Sequence, residues 1–267
     1  MVNEPIDRGQ AVGGATVFAH ALVNHEFFLV YQPTIDLRTN ALAGVEALIR
    51  WRHPTHGVIG PDQFLTSLET SGEIISVGRW TLVTACNQGA EWHARGYRFS
   101  VSVNVSSHQL DEPRLVDDVA IALASSRFNP ESLILELTRS SLPRATERLE
   151  QIRELGVRLA IDDFDPRRST LEELSEFGID IVKLGRPFIA SLANAGPATD
   201  SVRSVVELAK SLGVDVIATG IEDAEQRRQL QLGDVGTGQG FLFSEPCDAE
   251  AIDRLLEDFA LFSGEPL

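Results

Sequence analysis

Apolar and polar residues alternate along this chain at two periods, and the periods take turns. Period-two stretches predict strands at FFLVYQPTID (27–36), GVEALIRW (44–51), FSVSVNVS (99–106), SLILELT (132–138), VRLAIDDF (157–164), IDIVKL (179–184) and VDVIATGI (214–221), with a short GFLF (240–243) last. Between them, helical spacing predicts helices over 62–71, 78–95, 112–126, 142–155, 170–177, 200–212, 223–231 and 248–260. In the second of these Trp80, Val83, Cys86 and Ala90 mark the inward face. Pro and Gly punctuate His53 to Pro61, which reads as a loop. Strand and helix alternating at this length imply a parallel sheet, and about eight strands in some 250 residues point to a closed (β/α)8 barrel. Residues 1–15 read as a linker or tail, 16–262 as one barrel domain, and 263–267 as a second tail.

An internal repeat supports the barrel. ELGVRLAID, EFGIDIVKL and SLGVDVIAT share one grammar: a helix end, a glycine, a β-branched residue, then an apolar strand. Gly156, Gly178 and Gly213 stand where a helix C-terminus favours a left-handed residue. Six positions after the first and third glycines come Asp162 and Thr219, and five after the second comes Lys183. Strand C-terminal ends converge on one face of a barrel, so Asn104, Glu136, Asp162, Asp163, Lys183, Thr219 and Gln239 are expected on one rim.

Composition narrows the chemistry. A formal charge of −16 argues against holding duplex nucleic acid through a general positive field. It leaves open a small phosphorylated ligand in a local pocket, provided a cation offsets the acids. Cys86 and Cys247 match no metal-binding spacing and read as core residues of a protein in the reducing cytoplasm. No apolar run reaches the roughly 18 residues of a membrane span, and the first residues lack a signal-peptide core. Carboxylates beside an amide oxygen, with no nearby Cys or His, suit Mg²⁺ or Mn²⁺ rather than Zn²⁺. Two adjacent acids can bridge two ions of the kind that hydrolyse phosphodiesters, with Lys183 orienting water or neutralising a phosphoryl oxygen. Rim chemistry alone also leaves room for a glycosidase barrel using Glu46 and Glu136. His53, His56 and His108 show no ligand spacing and are expected to be solvated.

The run YQPTIDLRTNALAGVEALIRWRHPTHGVIGPDQF, followed in order by SVNVS, LELT, AIDDF, VKL, GIED and QGFLF, resembles the EAL-domain family of bacterial cyclic-di-GMP phosphodiesterases. The resemblance covers roughly residues 18 to 250. It implies a modified (β/α)8 TIM-like barrel with one antiparallel strand, the first. It places metal ligands on Glu46, Asn104, Glu136, Asp162 and Asp163, and the lysine that contacts metal-bound water on Lys183. Arg50 matches an arginine that grips a ligand phosphate, a role suited to a planar, permanently charged donor. Gln32, Glu46, Leu48 and Gln239 are implied to face the ligand, which is cyclic-di-GMP.

Four departures from the family pattern fall on this rim. Thr219 stands where the family carries a glutamate general base, and losing a positioned base typically costs about 10²- to 10⁴-fold in rate. Glu222, three residues on, is expected to lie outside the strand-end position. Arg139 replaces the second acid of the family's E-[IL]-T-E; a guanidinium ~4 Å from a cation is repelled by about 4 kcal/mol at an effective dielectric near 20. Arg139 therefore either pairs with Glu136 or Asp163 in place of a metal, or turns outward. The Gly- and Ser-rich loop after the aspartates reads DPRRST here, so Pro166 stiffens it, Asp165 is a candidate replacement acid, and Arg167 and Arg168 are candidates for phosphate or partner contacts. Gly185 replaces the acid of K-[IL]-D. The expectation is a cyclic-di-GMP receptor or protein-interaction module with impaired hydrolysis, binding Mg²⁺, Mn²⁺ or no metal, and working with a second copy or a signalling partner. The alternatives are a weak phosphodiesterase using Asp163 and Lys183, and a scaffold binding neither nucleotide nor metal.

Overall fold

The computed structural model describes residues 17–167, 170–192 and 198–263. The expected tails (all but Ser263 of the second) and Arg168 lie outside these residues. The strands are β1 (Phe27–Asp36), β2 (Leu42–His53), β3 (Gly57–Ile59), β4 (Ser100–Asn104), β5 (Leu133–Leu137), β6 (Arg158–Phe164), β7 (Ile181–Leu184), β8 (Asp215–Ala218) and β9 (Thr237–Gln239). From β2 through β4 to β9, neighbours pair in parallel and in chain order. β1 runs antiparallel to both β2 and β9, and so closes the ring. The antiparallel first strand implied by the resemblance is thus present. β3 lies outside the ring, paired with the overhanging end of β2.

The helices are α1 (Val17–Val23), α2 (Pro61–Ser71), α3 (Ile74–Ala94), α4 (Ser107–Asp111), α5 (Leu115–Ser126), α6 (Thr146–Glu154), α7 (Leu171–Ser175), α8 (Arg186–Leu192), α9 (Ala198–Leu212), α10 (Ala224–Leu232) and α11 (Ala249–Ser263). Gly156, Gly178 and Gly213 take φ of 88°, 66° and 71°, the left-handed turn from helix into strand that the repeat predicts. The helix expected over 112–126 is α5, and ahead of it stands the unexpected short α4, which Ser106 caps through a reciprocal box with Gln109. The segment expected to begin a helix at 142 opens with a 3-10 turn, Arg139–Arg144, containing Pro143. On α3 the deepest residues are Val77, Leu82, Ala85, Cys86 and Trp92, with Trp80, Val83 and Ala90 at the margin of the buried face.

Side chains alternate across each strand, and the alternation sorts the core. Outward-facing residues such as Val101, Val103, Leu135, Leu159, Ile161 and Val182 pack under the helices. Ile134, Ala160, Ile181 and Ile217 form an apolar plug inside the ring. A second, smaller core holds α1 and α2 against the overhang of β2, where Phe18 and Trp51 rings lie 5.3 Å apart. No described helix is long and apolar enough to cross a membrane.

GFLF is not a strand. β9 ends at Gln239, and residues 240–243 fold back in turns, with Leu242 N donating to Ile221 O at 3.0 Å. Gly240 packs so closely on the Ile221 backbone that a Cβ there would collide with it, which bends the chain off the sheet.

Candidate functional site

Two residues beyond each member of the apolar plug, the same inward row turns polar. Ile134 leads to Glu136, Ala160 to Asp162, Ile181 to Lys183 and Ile217 to Thr219. Period-two geometry therefore carries these four side chains to one end of the ring. Glu46 on β2, Asn104 on β4 and Gln239 on β9 complete the layer.

At its centre Lys183 is 2 % exposed, which excludes a surface-facing lysine. Its Nζ donates to Glu46 Oε2 and to both carboxylate oxygens of Glu136, each at 2.7 Å. Asn104 Nδ2 donates to Glu46 Oε1 at 2.7 Å, and Gln239 Nε2 donates to Glu46 Oε2 and Gln32 Oε1 at 3.0 Å. Gln32 Nε2 in turn reaches Ser244 O. Gln239 Oε1 is buried with no partner among the described residues.

The electrostatics follow from this crowding. Burial opposes the Lys183 charge, but Glu136, Glu46 and Asp162 outweigh it and hold the ammonium well above the usual lysine range. Burial also works against the charge on Glu46. The Lys183 ammonium, with hydrogen bonds from Gln239 and Asn104, overcomes it and keeps that carboxyl below its ordinary value. Glu136 goes the other way: burial and then the Glu46 charge push it up to about 8, against the pull of Lys183. The ammonium cannot fully neutralise two buried carboxylates, and the deeper one gives way.

Above this cage opens a cleft of about 190 Å³, lined by Gln32, Glu46, Asp162, Lys183, Thr219 and Gln239 and by a lip that includes Arg186, Glu222 and Phe241. Thr219 Oγ1 donates to Leu184 O at 2.9 Å. Leu48 and Arg50 continue the inward row of β2 beyond Glu46; both are half-buried, and Arg50 Nη1 donates to Ile49 O at 2.8 Å. Asp163 does not line the cleft.

Several expectations change here. Arg139 bonds neither Glu136 nor Asp163 among the contacts described: it leaves β5 on the 3-10 turn and pairs on the surface with Glu173 of α7 at 2.7 Å. Asp165 holds the backbone N–H and guanidinium of Arg167. Glu222 lies outside the strand-end position, as expected, four residues past the end of β8, yet it stands on the cleft wall and is ion-paired with Arg186. Arg186 and Phe241 were missed; Arg186 could have been found from its position just past the end of β7. His56 and His108 are exposed, whereas His53 is half-buried with its ring 4.6 Å from that of Trp51.

The site donors suit a hard cation by chemistry: carboxylates of Glu46, Glu136 and Asp162, and the amide oxygen of Asn104 left free to turn by its Nδ2 contact. As the side chains stand, no three His, Cys, Asp or Glu residues among those described are grouped to hold a metal, and the Lys183 ammonium is the positive charge inside the cage. An ion held by these donors would have to share Glu46 and Glu136 with Lys183.

Comparison with known proteins agrees with the geometry. The family model described as EAL domain matches residues 16–246. The bifunctional diguanylate cyclase/cyclic di-GMP phosphodiesterase MucR of Pseudomonas aeruginosa is 36% identical over 237 residues, 87% of this chain and 35% of that protein. Cyclic di-GMP phosphodiesterase PdeR of Escherichia coli K12 is 33% identical over 88% of this chain and 36% of its own length. The chain thus spans about a third of these curated relatives. A solved structure of the PaMucR phosphodiesterase in complex with c-di-GMP superposes with a TM-score of 0.82 at 35% identity, covering 88% of this chain and 97% of that one.

Proposed function

Since this chain belongs to the EAL-domain family, we propose that it is a cyclic-di-GMP-binding domain whose hydrolytic step is impaired. The observation that carries the reading is Thr219. It follows directly on β8, two residues beyond the inward Ile217 and on the wall of the cleft, and its hydroxyl is already donated to Leu184 O. A threonine hydroxyl cannot take a proton from water near neutral pH, so an incoming nucleophile finds no general base there.

The remaining groups serve binding. Arg50, on the inward row of β2, offers a guanidinium to a phosphate. Gln32 and Gln239 face the cleft with amide edges, and the unpartnered Gln239 Oε1 is a buried acceptor suited to a base N–H. Mg²⁺ or Mn²⁺ held by Glu46, Asn104, Glu136 and Asp162 would supply Lewis-acid polarisation of a phosphoryl oxygen. Lys183 holds the cage together whether or not an ion is present. A second copy or a signalling protein is the partner this reading calls for.

Calorimetry with cyclic-di-GMP, followed by an assay for the linear dinucleotide in Mn²⁺, tests the proposal. Tight binding with slow turnover is expected, and Thr219→Glu should raise turnover by about 10²-fold or more. Wild-type turnover equal to that of the Thr219→Glu variant would refute impairment. A slow phosphodiesterase is the second reading, favoured by the Glu222 carboxylate on the same wall. It predicts residual Mn²⁺-dependent turnover that disappears in Glu222→Gln and in Glu46→Ala.

A further inference from the structure

The turn between β2 and β3 brings together two imidazoles that spacing alone gave no reason to pair. His53 pairs with Gly57 across the hairpin, so the chain reverses over Pro54, Thr55 and His56. Pro54 presets φ at the first corner, and Gly57, at φ of 72°, supplies the left-handed residue on which the chain enters β3. His53 and His56 thereby become the first and fourth residues of a tight turn, whose Cα atoms approach within about 7 Å. Their rings leave the turn together, with centroids 4.5 Å apart and the two Nδ1 atoms 3.0 Å apart. Thr55 Oγ1 joins them, 3.2 Å from His53 Nδ1 and 3.0 Å from His56 Nδ1.

These three atoms form a triangle with sides of 3.0, 3.0 and 3.2 Å. Ligands about 2.0–2.1 Å from a shared ion lie about 2.9 Å apart at right angles and about 3.3 Å apart at the tetrahedral angle. The triangle is thus the size of one face of a metal coordination shell. Two imidazole nitrogens and a hydroxyl suit Cu²⁺ or Zn²⁺ and suit Mg²⁺ or Mn²⁺ poorly. The His53 ring is half-buried and packs 4.6 Å from that of Trp51, whose Nε1 donates to Glu26 Oε2 at 2.9 Å. The backbone N–H groups of Thr55 and His56 donate to His53 Nδ1 at 3.2 and 3.3 Å, so its lone pair is turned toward the loop. Both residues are exposed, and water can take over those N–H groups once an ion claims the lone pair. Among the described residues no third His, Cys, Asp or Glu joins the pair, which leaves the outer positions to water.

We propose that this turn is a transition-metal site, holding a copper- or zinc-class dication through His53 Nδ1, His56 Nδ1 and the Thr55 hydroxyl. It is distinct from the rim in place and in chemistry. His53 continues the row of Ala47, Ile49 and Trp51 on β2, whereas Glu46, Leu48 and Arg50 occupy the inward row. The rim offers carboxylates to a hard ion, and the turn offers imidazole to a softer one. Nothing in the proposal depends on whether the rim binds nucleotide or metal. An ion here ties the end of β2 to the start of β3.

Calorimetry of the full chain with Cu²⁺ and with Zn²⁺, in excess Mg²⁺ to occupy carboxylate sites, decides it. One Cu²⁺ per chain is expected, with Zn²⁺ weaker and Mn²⁺ unable to displace either. Losing even an outer partner of a metal ligand typically costs about 10- to 100-fold in affinity, so His56→Ala should weaken Cu²⁺ and Zn²⁺ by at least about 10-fold. Thr55→Val should cost less, and His108→Ala, an exposed imidazole on α4, should cost nothing. Pulsed electron paramagnetic resonance of the Cu²⁺ form should show two coordinated imidazoles in the wild type and one in His56→Ala. Zn²⁺ should raise the thermal midpoint of the wild type and not of His56→Ala. His56 is exposed, so its variant keeps the fold even if His53→Ala, which strips a ring from Trp51, does not. Absence of Cu²⁺ binding in excess Mg²⁺, one imidazole in the wild type, or equal losses in His56→Ala and His108→Ala would each overturn the proposal.

Discussion

The floor and the lip of the cleft are built from opposite kinds of ion pair. On the floor Glu46, Glu136 and Lys183 are almost wholly buried and share hydrogen bonds with Gln239 and Asn104. At the lip Glu222 pairs with Arg186, and on the surface beyond it Arg139 pairs with Glu173 and Asp165 with Arg167, with at least one partner of each pair exposed. A buried pair that loses one member leaves an uncompensated charge in a low-dielectric site. An exposed pair that loses one member loses little, because water takes over. Residues 139 and 165 belong to the exposed pairs, so a substitution at either leaves the buried floor in place. Chemistry can therefore change at this rim while the barrel stays as it was.

The sharpest test of that contrast is Lys183→Met. It leaves Glu46 and Glu136 facing one another with no cation, and removing one partner of a buried pair typically costs about 3–5 kcal/mol. Urea unfolding should show a loss of that order. Thr219→Glu, at the half-buried lip, should shift stability by no more than about 1 kcal/mol while changing turnover most. A Lys183→Met loss as small as the lip substitution's would erase the distinction between floor and lip.

The next effect is a pH dependence confined to the floor. Burial and the Glu46 charge raise Glu136 from an ordinary 4.5 to about 8. Between those values the folded protein holds a proton that the unfolded chain has released. Raising the pH through that window therefore disfavours the native state. Glu136→Gln lacks this titration. The stability of wild type relative to Glu136→Gln should fall as pH climbs from about 5 to about 9, and level off at the acid end. Denaturation midpoints for both proteins at several pH values check this; a difference that is flat, or that rises with pH, would mean that Glu136 is ionised throughout.

The floor was legible in the sequence for a simple reason: it obeys strand parity. Ile134 and Glu136, Ala160 and Asp162, and Ile181 and Lys183 are each two apart, and the left-handed glycines at 156, 178 and 213 set where each strand begins. The lip was less legible because parity ends where strands end. Arg139 enters a 3-10 turn one residue after Thr138, so its direction depends on Pro143 and α7 rather than on β5. Asp163 sits in a bulge, which breaks the alternation that placed Asp162. Helix α8 is seven residues long and opens with Arg186 and Pro187, too short for a helical period to stand out. GFLF has strand composition, yet its glycine is placed by close contact with the Ile221 backbone, a long-range fact no local window contains.

The smallest effect belongs to a position where the sequence allowed a large one. A guanidinium at 139 looked like a charge reversal beside a cation, with several kcal/mol at stake. In the structure Arg139 and Glu173 are both about half exposed, at 49% and 55%, and they bond each other. Water and salt screen such a pair, and its coupling should be about 0.2–1 kcal/mol. A double-mutant cycle of Arg139→Ala and Glu173→Ala on unfolding free energy measures that coupling directly. The same two variants should leave Mn²⁺ and cyclic-di-GMP affinity unchanged, because neither side chain lines the cleft. If Arg139→Ala tightens Mn²⁺ binding while Glu173→Ala does not, the arginine acts on the floor after all, and the separation of floor from lip fails at its weakest point.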